Sequence, residues 1–447
     1  MHDLSGQCEN QFPDGWSKLQ NKRERKSQAR AERVHSLCRA QVFFDEHQKE
    51  HNPTFKGNVR PTTSHLKLSD MQFLVTSDTL GKNIQGLSKM MNGKASLAIL
   101  DHYLFEVDGN VLQVIASDGE NMMRTTTELM ESDLTPGESV RFCVHSRVLG
   151  DFLKNISTQP LTIIMENKTE ITINYMNGHV SFPCVSDDEY PTFDILTGDS
   201  KTAILPSTAM LEDITRTSPF TEQGTMRPVL NAVCFNFKED GLDVVSCNGQ
   251  VLMKNHHLDI HTDKEGIFLL PPKPAALLRH FLCKEPLDIC IKFTDSAAQF
   301  VGDTWQLTCR LIEGRYPNYN SVIPANNDKT MLIDKRALQD AIRRMLPMGN
   351  PHSKVMKMEL DTTALTVSCE DIDYNTKAKE SVPCDYDATP MAIGVNGETL
   401  CNVLSNIPSD MVRITFSEYS RPLLVSPVDE TEGLQITALL MPTLLND

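Results

Sequence analysis

The feature that most constrains this 447-residue chain is an internal repeat. Three stretches, VHSRVLGDFLKNI from Val144, LPPKPAALLRHFL from Leu270 and VNGETLCNVLSNI from Val395, follow one another at offsets of 126 and 125 residues. Each leaves an apolar strand, passes a polar or Pro/Gly turn and continues as a short amphipathic helix. A strand follows each helix, at 161–165, 287–291 and 412–416, with the same offsets. The first halves repeat as well: 73–80, 203–210 and 331–338 each run from a strand into a helix. Leu100-Asp101 through Asp118-Gly119 matches Leu230-Asn231 through Asn248-Gly249 at a constant offset of 130, and the alternating strands between are joined by Asp/Gly turns, a hairpin signal.

Three units follow, near 71–200, 201–325 and 326–447, each with two strand–helix–strands half-units. Short amphipathic helices among many alternating strands predict an α+β fold, with helices on one face and antiparallel sheets outside. Helices are expected over 79–91, 147–156, 208–217, 273–282, 335–345 and 398–407. Six half-units suggest an arc with helices along one side. Residues 1–70 carry 12 Lys+Arg and 9 Asp+Glu and little to bury; they read as an atypical, disordered extension, with a basic arm touching DNA as the other reading.

Composition narrows the class. Apolar residues make up 40% and charged residues 23%, which is globular. No apolar run approaches a membrane span of roughly 18–20 residues, and the N-terminus lacks a signal-peptide pattern, so a cytoplasmic location is expected. The 12 cysteines are scattered; Cys143, Cys290 and Cys401 sit in apolar runs and read as core residues.

The net charge of −16 is unevenly spread. The six expected helices hold 11 Lys+Arg against 5 Asp+Glu, whereas residues 71–447 as a whole are at −19. Lys82, Lys89, Arg147, Lys154, Arg216, Lys273, Arg279, Lys335, Arg336, Arg343 and Arg344 would share one face of the arc, and Lys94 and Arg227 are counted with them as DNA-facing. A basic face on an acidic body attracts a phosphate backbone without reading base sequence.

Catalytic motifs are missing: no phosphate-binding loop, nucleophile elbow or His-Glu-x-x-His. His256, His257 and His261 could suggest a metal cluster, but adjacent residues of a strand point to opposite faces. Glu370, Asp371 and Asp373 fall at a strand-end turn and read as a solvated loop. Neither a metal nor a cofactor is expected. Two alternatives stand beside the binding reading: a metal-dependent hydrolase using His256, His257 and Asp263, and a repeat scaffold that binds only proteins.

Over residues 71–447 the chain resembles the bacterial DNA polymerase III β subunit, the sliding-clamp family. The most specific match is Glu313-Gly314-Arg315-Tyr316-Pro317-Asn318-Tyr319 with Val322-Ile323-Pro324, similar to the family's Asp-Gly-Arg-Phe-Pro-Asp-Tyr followed by Val-Leu-Pro. Leu440-Met441-Pro442-Thr443-Leu444 is similar to the family's Val-Met-Pro-Met-Arg ending. Arg227-Pro228-Val229-Leu230-Asn231 and Asn248-Gly249-Gln250-Val251-Leu252 resemble two further segments, with Gln250-Val251 standing where the family has His-Arg. The resemblance implies a non-catalytic processivity factor, a head-to-tail homodimeric ring around double-stranded DNA. The partners implied are the replicative polymerase, the clamp loader and other proteins carrying short apolar peptides. It implies a peptide cleft built from Leu230, Cys247, Gly249, Gln250, Val251, Leu252, Pro317, Val322, Leu439, Met441 and Pro442. It also implies a ring joint at which Val180 and Phe182 meet Pro347 and Met348 of the neighbouring chain.

Overall fold

The computed structural model describes residues 71–91, 97–135, 137–166, 169–192, 196, 199–224, 226–260, 262, 264–282, 287–429 and 431–445. The reading of residues 1–70, and Lys94, His261 and Asp263, lie outside the described residues.

Six α-helices stand among the described residues, in the six expected places: α1 Ser77–Leu87, α2 Ser146–Lys154, α3 Ser207–Thr217, α4 Pro272–Phe281, α5 Lys335–Met345 and α6 Gly397–Ser405. Each continues directly from a strand, and the junctions are stitched alike. The N–H groups of Ser77, Ser207 and Lys335 donate to the carbonyls of Gln159, Leu287 and Asp410, one residue before the strand that follows the second helix of each unit. Thr76, Asp334 and Asn396 cap α1, α5 and α6 through their side-chain oxygens, which satisfies N–H groups that the helix leaves unpaired. α1 stops four residues before its apolar pattern does. Ser88 bonds back to Gln85, and the N–H groups of Lys89 and Met90 reach only three residues back, so the last turn tightens.

All strand pairings are antiparallel and fall into a 13-stranded and a 12-stranded sheet. Two pairings run between units. Trp305–Arg310 lies on Asn121–Glu128 with Leu307 opposite Met123, and Val251–His257 lies on Leu434–Leu440 with Met253 opposite Ala438. Helices pack on the sheets through Leu80, Ile84, Leu149 and Leu153 in the first unit, Met210, Ile214, Leu277 and Leu278 in the second, and Leu338, Ile342, Leu400 and Leu404 in the third, all buried. At roughly 1.5–3 kcal/mol for each fully buried side chain, these faces hold the helices that propensity alone would not. Among the described residues no helix is long and apolar enough to cross a membrane.

Helices α1 and α2 line an open cleft of about 630 Å³. Gly81 and Gly150 line it, and a methyl group on Gly81 would meet nothing within 4 Å. The same positions of the other units are filled, by Leu211 with Ala276 and by Gln339 with Cys401, where the Gln339 amide reaches the Cys401 carbonyl. Gly81→Ala and Gly150→Ala should therefore each raise the unfolding free energy by about 0.5–1 kcal/mol, read by urea denaturation, because alanine restricts the unfolded chain and clashes with nothing here.

A buried pair holds α3 to the sheet. The Asp213 carboxylate accepts from His257 Nε2 at 2.8 Å and from Asn255 Nδ2 at 2.8 Å. Burial pushes the His257 pKa down, but the charge and hydrogen bond of Asp213, with help from Asp259, outweigh burial and nearby Arg216, so the net shift is upward. A raised folded-state pKa gives stability that is complete below the ordinary histidine value and is lost as pH climbs through the raised one. The stability gap between this protein and its His257→Gln variant should be widest near pH 6 and narrow toward pH 9 in denaturation titrations.

Candidate functional site

The strand Val251–His257 serves both sheet faces. Val251 and Met253 enter the core shared with the third unit, and Asn255 and His257 turn to Asp213. Leu252 faces the other way, and Lys254 and His256 bond Asp243 on that side. On the Leu252 face lies a separate apolar cluster of Leu230, Leu252, Leu269, Tyr316, Tyr319 and Leu439, with Cys247 and Val229 partly buried against it. It combines the second unit with the last strand of the third. Leu230, Cys247, Leu252 and Leu439 of the expected cleft come together here, whereas Val251 is turned away into the core.

Two turns frame the cluster. In Asn248–Gln250 the Asn248 side chain accepts from the N–H groups of Gln250 and Val251, and Gly249 takes a positive φ of 89°. Arg227 lies beside this turn, within 3.4 Å of where a Gly249 side chain would stand, and pairs with Glu222 at 3.2 Å. It thus stands beside this turn and not on one of the six α-helices. The loop after Leu311 brings exposed Pro317 and then Tyr319–Ser321, with Val322 53% exposed at the rim. The chain end supplies the other wall. The Met441 N–H donates to the Gln250 carbonyl at 2.9 Å, Met441 is 41% exposed and Pro442 half-buried. The Thr443 N–H then donates to the Gly394 carbonyl, fastening the tail to the third unit. The result is an apolar floor with aliphatic and thioether groups at its edge, which suits leucine and phenylalanine anchors of a short peptide. Tyr316 and Tyr319 were not among the expected cleft residues. The signal for them was their place inside the Arg-Tyr-Pro-Asn-Tyr segment.

The basic helical residues are more neutralised than their count suggests. Lys82 pairs with Asp78, Lys154 with Asp151, Arg343 with Asp340 and Arg344 with Glu380. Lys273 binds Asp118, and Arg216 is only 12% exposed against Glu212. Lys335 donates to the Ile407 carbonyl and Lys89 meets His280. Exposed Arg147, Arg279 and Arg336 have no acidic partner among the described residues. The observed helices hold ten Lys+Arg against six Asp+Glu, a smaller excess than the expected ranges, since Lys89 falls past the end of α1 and Asp78 falls inside it. α1 packs on both α2 and α4, and α3 on α4, so the helices form a continuous run across the first two units.

His256 and His257 bond different carboxylates on opposite faces, Asp243 and Asp213. Among the described residues no group of three His, Cys, Asp or Glu is placed to hold a metal. Asp371 is buried and caps its own turn, accepting from the N–H groups of Asp373 and Tyr374. At the expected ring joint, Phe182 is buried in the first unit's core beside Phe152 and Val180 is partly buried on that core, while Pro347 is exposed and Met348 is 43% exposed.

The N-terminal, central and C-terminal domain models of the DNA polymerase III beta subunit match residues 71–194, 204–318 and 320–443. The chain is 22% identical over 356 residues to the beta sliding clamp of Pseudomonas putida, covering 79% of this chain and 95% of that one. It is 23% identical over 388 residues to that of Helicobacter pylori, covering 84% and 100%. Among solved structures, a DNA polymerase sliding clamp from Pseudomonas aeruginosa superposes with a TM-score of 0.77 at 21% identity, over 84% of this chain and 100% of that one. The DNA polymerase III beta subunit of Thermotoga maritima does so at 0.75 with 20% identity and the same coverage. Three domain models in order along one chain, on a fold in which the same half-unit recurs six times, place this protein in the DNA polymerase III beta subunit family.

Proposed function

We propose that this chain is a non-catalytic processivity factor whose two copies close head to tail around duplex DNA and tether a polymerase through the cleft between the second and third units. The units run over 71–200, 201–325 and 326–447. The single observation that carries the ring is that one edge-to-edge joint occurs twice within the chain and its two halves recur, unjoined, at the ends. Trp305–Arg310 and Leu434–Leu440 are last strands of their units, and each pairs with the fourth strand of the preceding unit. The first unit's last strand, Gly178–Val185, is paired on one side by Glu170–Tyr175 and on the other only at Cys184 and Val185. The third unit's fourth strand, Thr376–Tyr386, meets Ala364–Asp371 on one side and on the other pairs only from Cys384 onward.

Internal equivalence supplies the register. Met123, Met253 and Ala378 occupy one position of the half-unit, two residues before Thr125, Asn255 and Glu380, which face Val114, Val244 and Val367. Leu307, Ala438 and Val180 occupy the other; they face Phe300, Val425 and Ile173 across their hairpins. As Leu307 opposes Met123 and Ala438 opposes Met253, Val180 of one copy should oppose Ala378 of the next, and Phe182 should oppose Thr376. Thr376 donates to the Met348 carbonyl, so this register also brings Phe182's strand to Met348, in a heterologous contact that closes after two copies. Unpaired strand edges left open would invite aggregation, and mutual pairing removes them.

A pair of cysteines at Ser181 and Lys377, directly opposed in this register, should form an intermolecular disulfide between copies. Neither single variant should cross-link, and the pair shifted by two residues, Ser181 with Lys379, should do so poorly. A monomer by sedimentation, or cross-linking that ignores register, counts against the joint.

Encirclement makes its own demand: the loaded protein should stay on a circular plasmid and leave when the plasmid is linearised. Replacing Arg147, Arg279 and Arg336 with Glu should lower retention at low salt and flatten its salt dependence while the cross-linked ring still forms. Equal retention by wild type and variant at every salt concentration would reject a helix-lined channel.

A further inference from the structure

Asp243 is fully buried in the strand Gly241–Cys247, and four side chains converge on its carboxylate. Lys238 and Tyr319 donate to Oδ2, the tyrosine at 2.6 Å. Lys254 lies 3.2 Å from Oδ1 and His256 Nδ1 2.7 Å from it. Burial works against the ionised form, yet the hydrogen bonds from Lys238 and Tyr319 and the charge of Lys254 prevail, and the Asp243 pKa lies below the ordinary range. Burial, then the bond to Asp243, drives the Tyr319 hydroxyl upward, so it keeps its proton and donates. Its oxygen in turn accepts from Asn236 Nδ2 at 2.8 Å.

Tyr319 belongs to two structures at once. Its ring is part of the apolar floor with Leu230, Leu252 and Leu439, and its hydroxyl is in the Asp243 network. The ammonium groups of Lys238 and Lys254 stand 5.3 and 5.6 Å from its ring centroid. Lys254 also donates to the side chain of Asn320 at 3.2 Å, so consecutive residues of the turn are tied to the same hub. The Val322 N–H closes the turn on the Tyr319 carbonyl, and Val322 is the exposed rim residue. A buried carboxylate held by two lysines, a histidine and a tyrosine is costly to disturb, because each loss strands a charge.

We propose that Asp243 is a positioning residue of the partner cleft: through Tyr319 and Lys254 it fixes the Tyr319–Val322 turn and so presets the wall on which an apolar peptide docks. The proposal rests on the cleft reading above. Asp243 touches no peptide itself; its effect is pre-organisation, which raises affinity by removing the cost of ordering the wall.

Tyr319→Phe separates the two roles, because it keeps the ring in the floor and removes only the hydroxyl. A fluorescein-labelled peptide Gln-Leu-Asp-Leu-Phe, titrated by anisotropy against the full chain, should bind this variant about 3–10-fold more weakly, equivalent to roughly 0.7–1.4 kcal/mol. Asp243→Asn should weaken it comparably, and the double variant little more than either single one. Amide exchange should quicken at Ser321 and Val322 in Tyr319→Phe while the paired strands of the second unit keep their protection. Where Asp243→Asn fails to fold, Tyr319→Phe and its exchange pattern decide. Val322→Asp serves as the reporter of the cleft itself. Peptide binding lost in Val322→Asp but unchanged in Tyr319→Phe overturns the positioning role and leaves the cleft standing. No peptide binding by the wild-type chain, or none lost in Val322→Asp, overturns the cleft and the proposal with it.

Discussion

The pairing of Val251–His257 with Leu434–Leu440 is the contact on which the rest depends. It is an antiparallel ladder between two units, so it carries main-chain hydrogen bonds where a mere domain contact would carry a polar rim. Strand alternation then lets the same seven residues serve two faces. One face is tied to α3 through Asp213, and the other to the outer hub through Asp243. Two buried carboxylates, one on each side, leave the strand a single register, since a slip of one residue would place Lys254 and His256 in the helical core.

The same joint is made between the first and second units, with different side chains along its edge. The floors are equivalent: Leu100, Met122, Cys143 and Tyr190 cluster as Leu230, Leu252, Leu269 and Tyr316 do. The difference is the wall from the following unit. Leu439 and Met441 of the third unit have Thr308 and Arg310 as their counterparts in the second. Arg310 pairs with Glu120 at 3.0 Å, and Asp118, the counterpart of Asn248, binds Lys273. Ion pairs close the first joint, and leucine and methionine leave the second open to apolar anchors. A few side-chain changes on a shared frame thus give the two joints different surfaces.

Much of this was legible in the sequence because it is local or periodic. The helices sit where the amphipathic pattern put them, and the hairpins follow the Asp/Gly turns. α1 is the exception, where a serine back-bond ended the helix before its apolar pattern did. The apolar cluster was legible in part: Leu230, Leu252 and Leu439 lie in quotable segments, but strand parity turned Val251 inward, and Tyr319 is bonded to Asp243, 76 residues away. Such pairings are set by the fold, and no spacing along the chain announces them. The glycines at 81 and 150 carry no signal in the local pattern, and only the equivalent positions of the other units, which hold larger side chains, mark them as open sites.

Charge shows the same divide between counting and geometry. A tally of helical lysines and arginines suggests a strongly basic face, whereas most of them already hold an acid on the same or a neighbouring element. Exposed pairs of this kind are worth at most about 1 kcal/mol each. A lysine can therefore leave its aspartate for a passing phosphate at almost no net cost, and return when the phosphate moves on. Tight, unpaired cations would bind duplex DNA more strongly but hold it in place. The three arginines without an acidic partner among the described residues would give the helices a residual attraction, and the paired ones would give them exchangeable contacts. A face assembled this way would suit DNA that is held by enclosure and free to move.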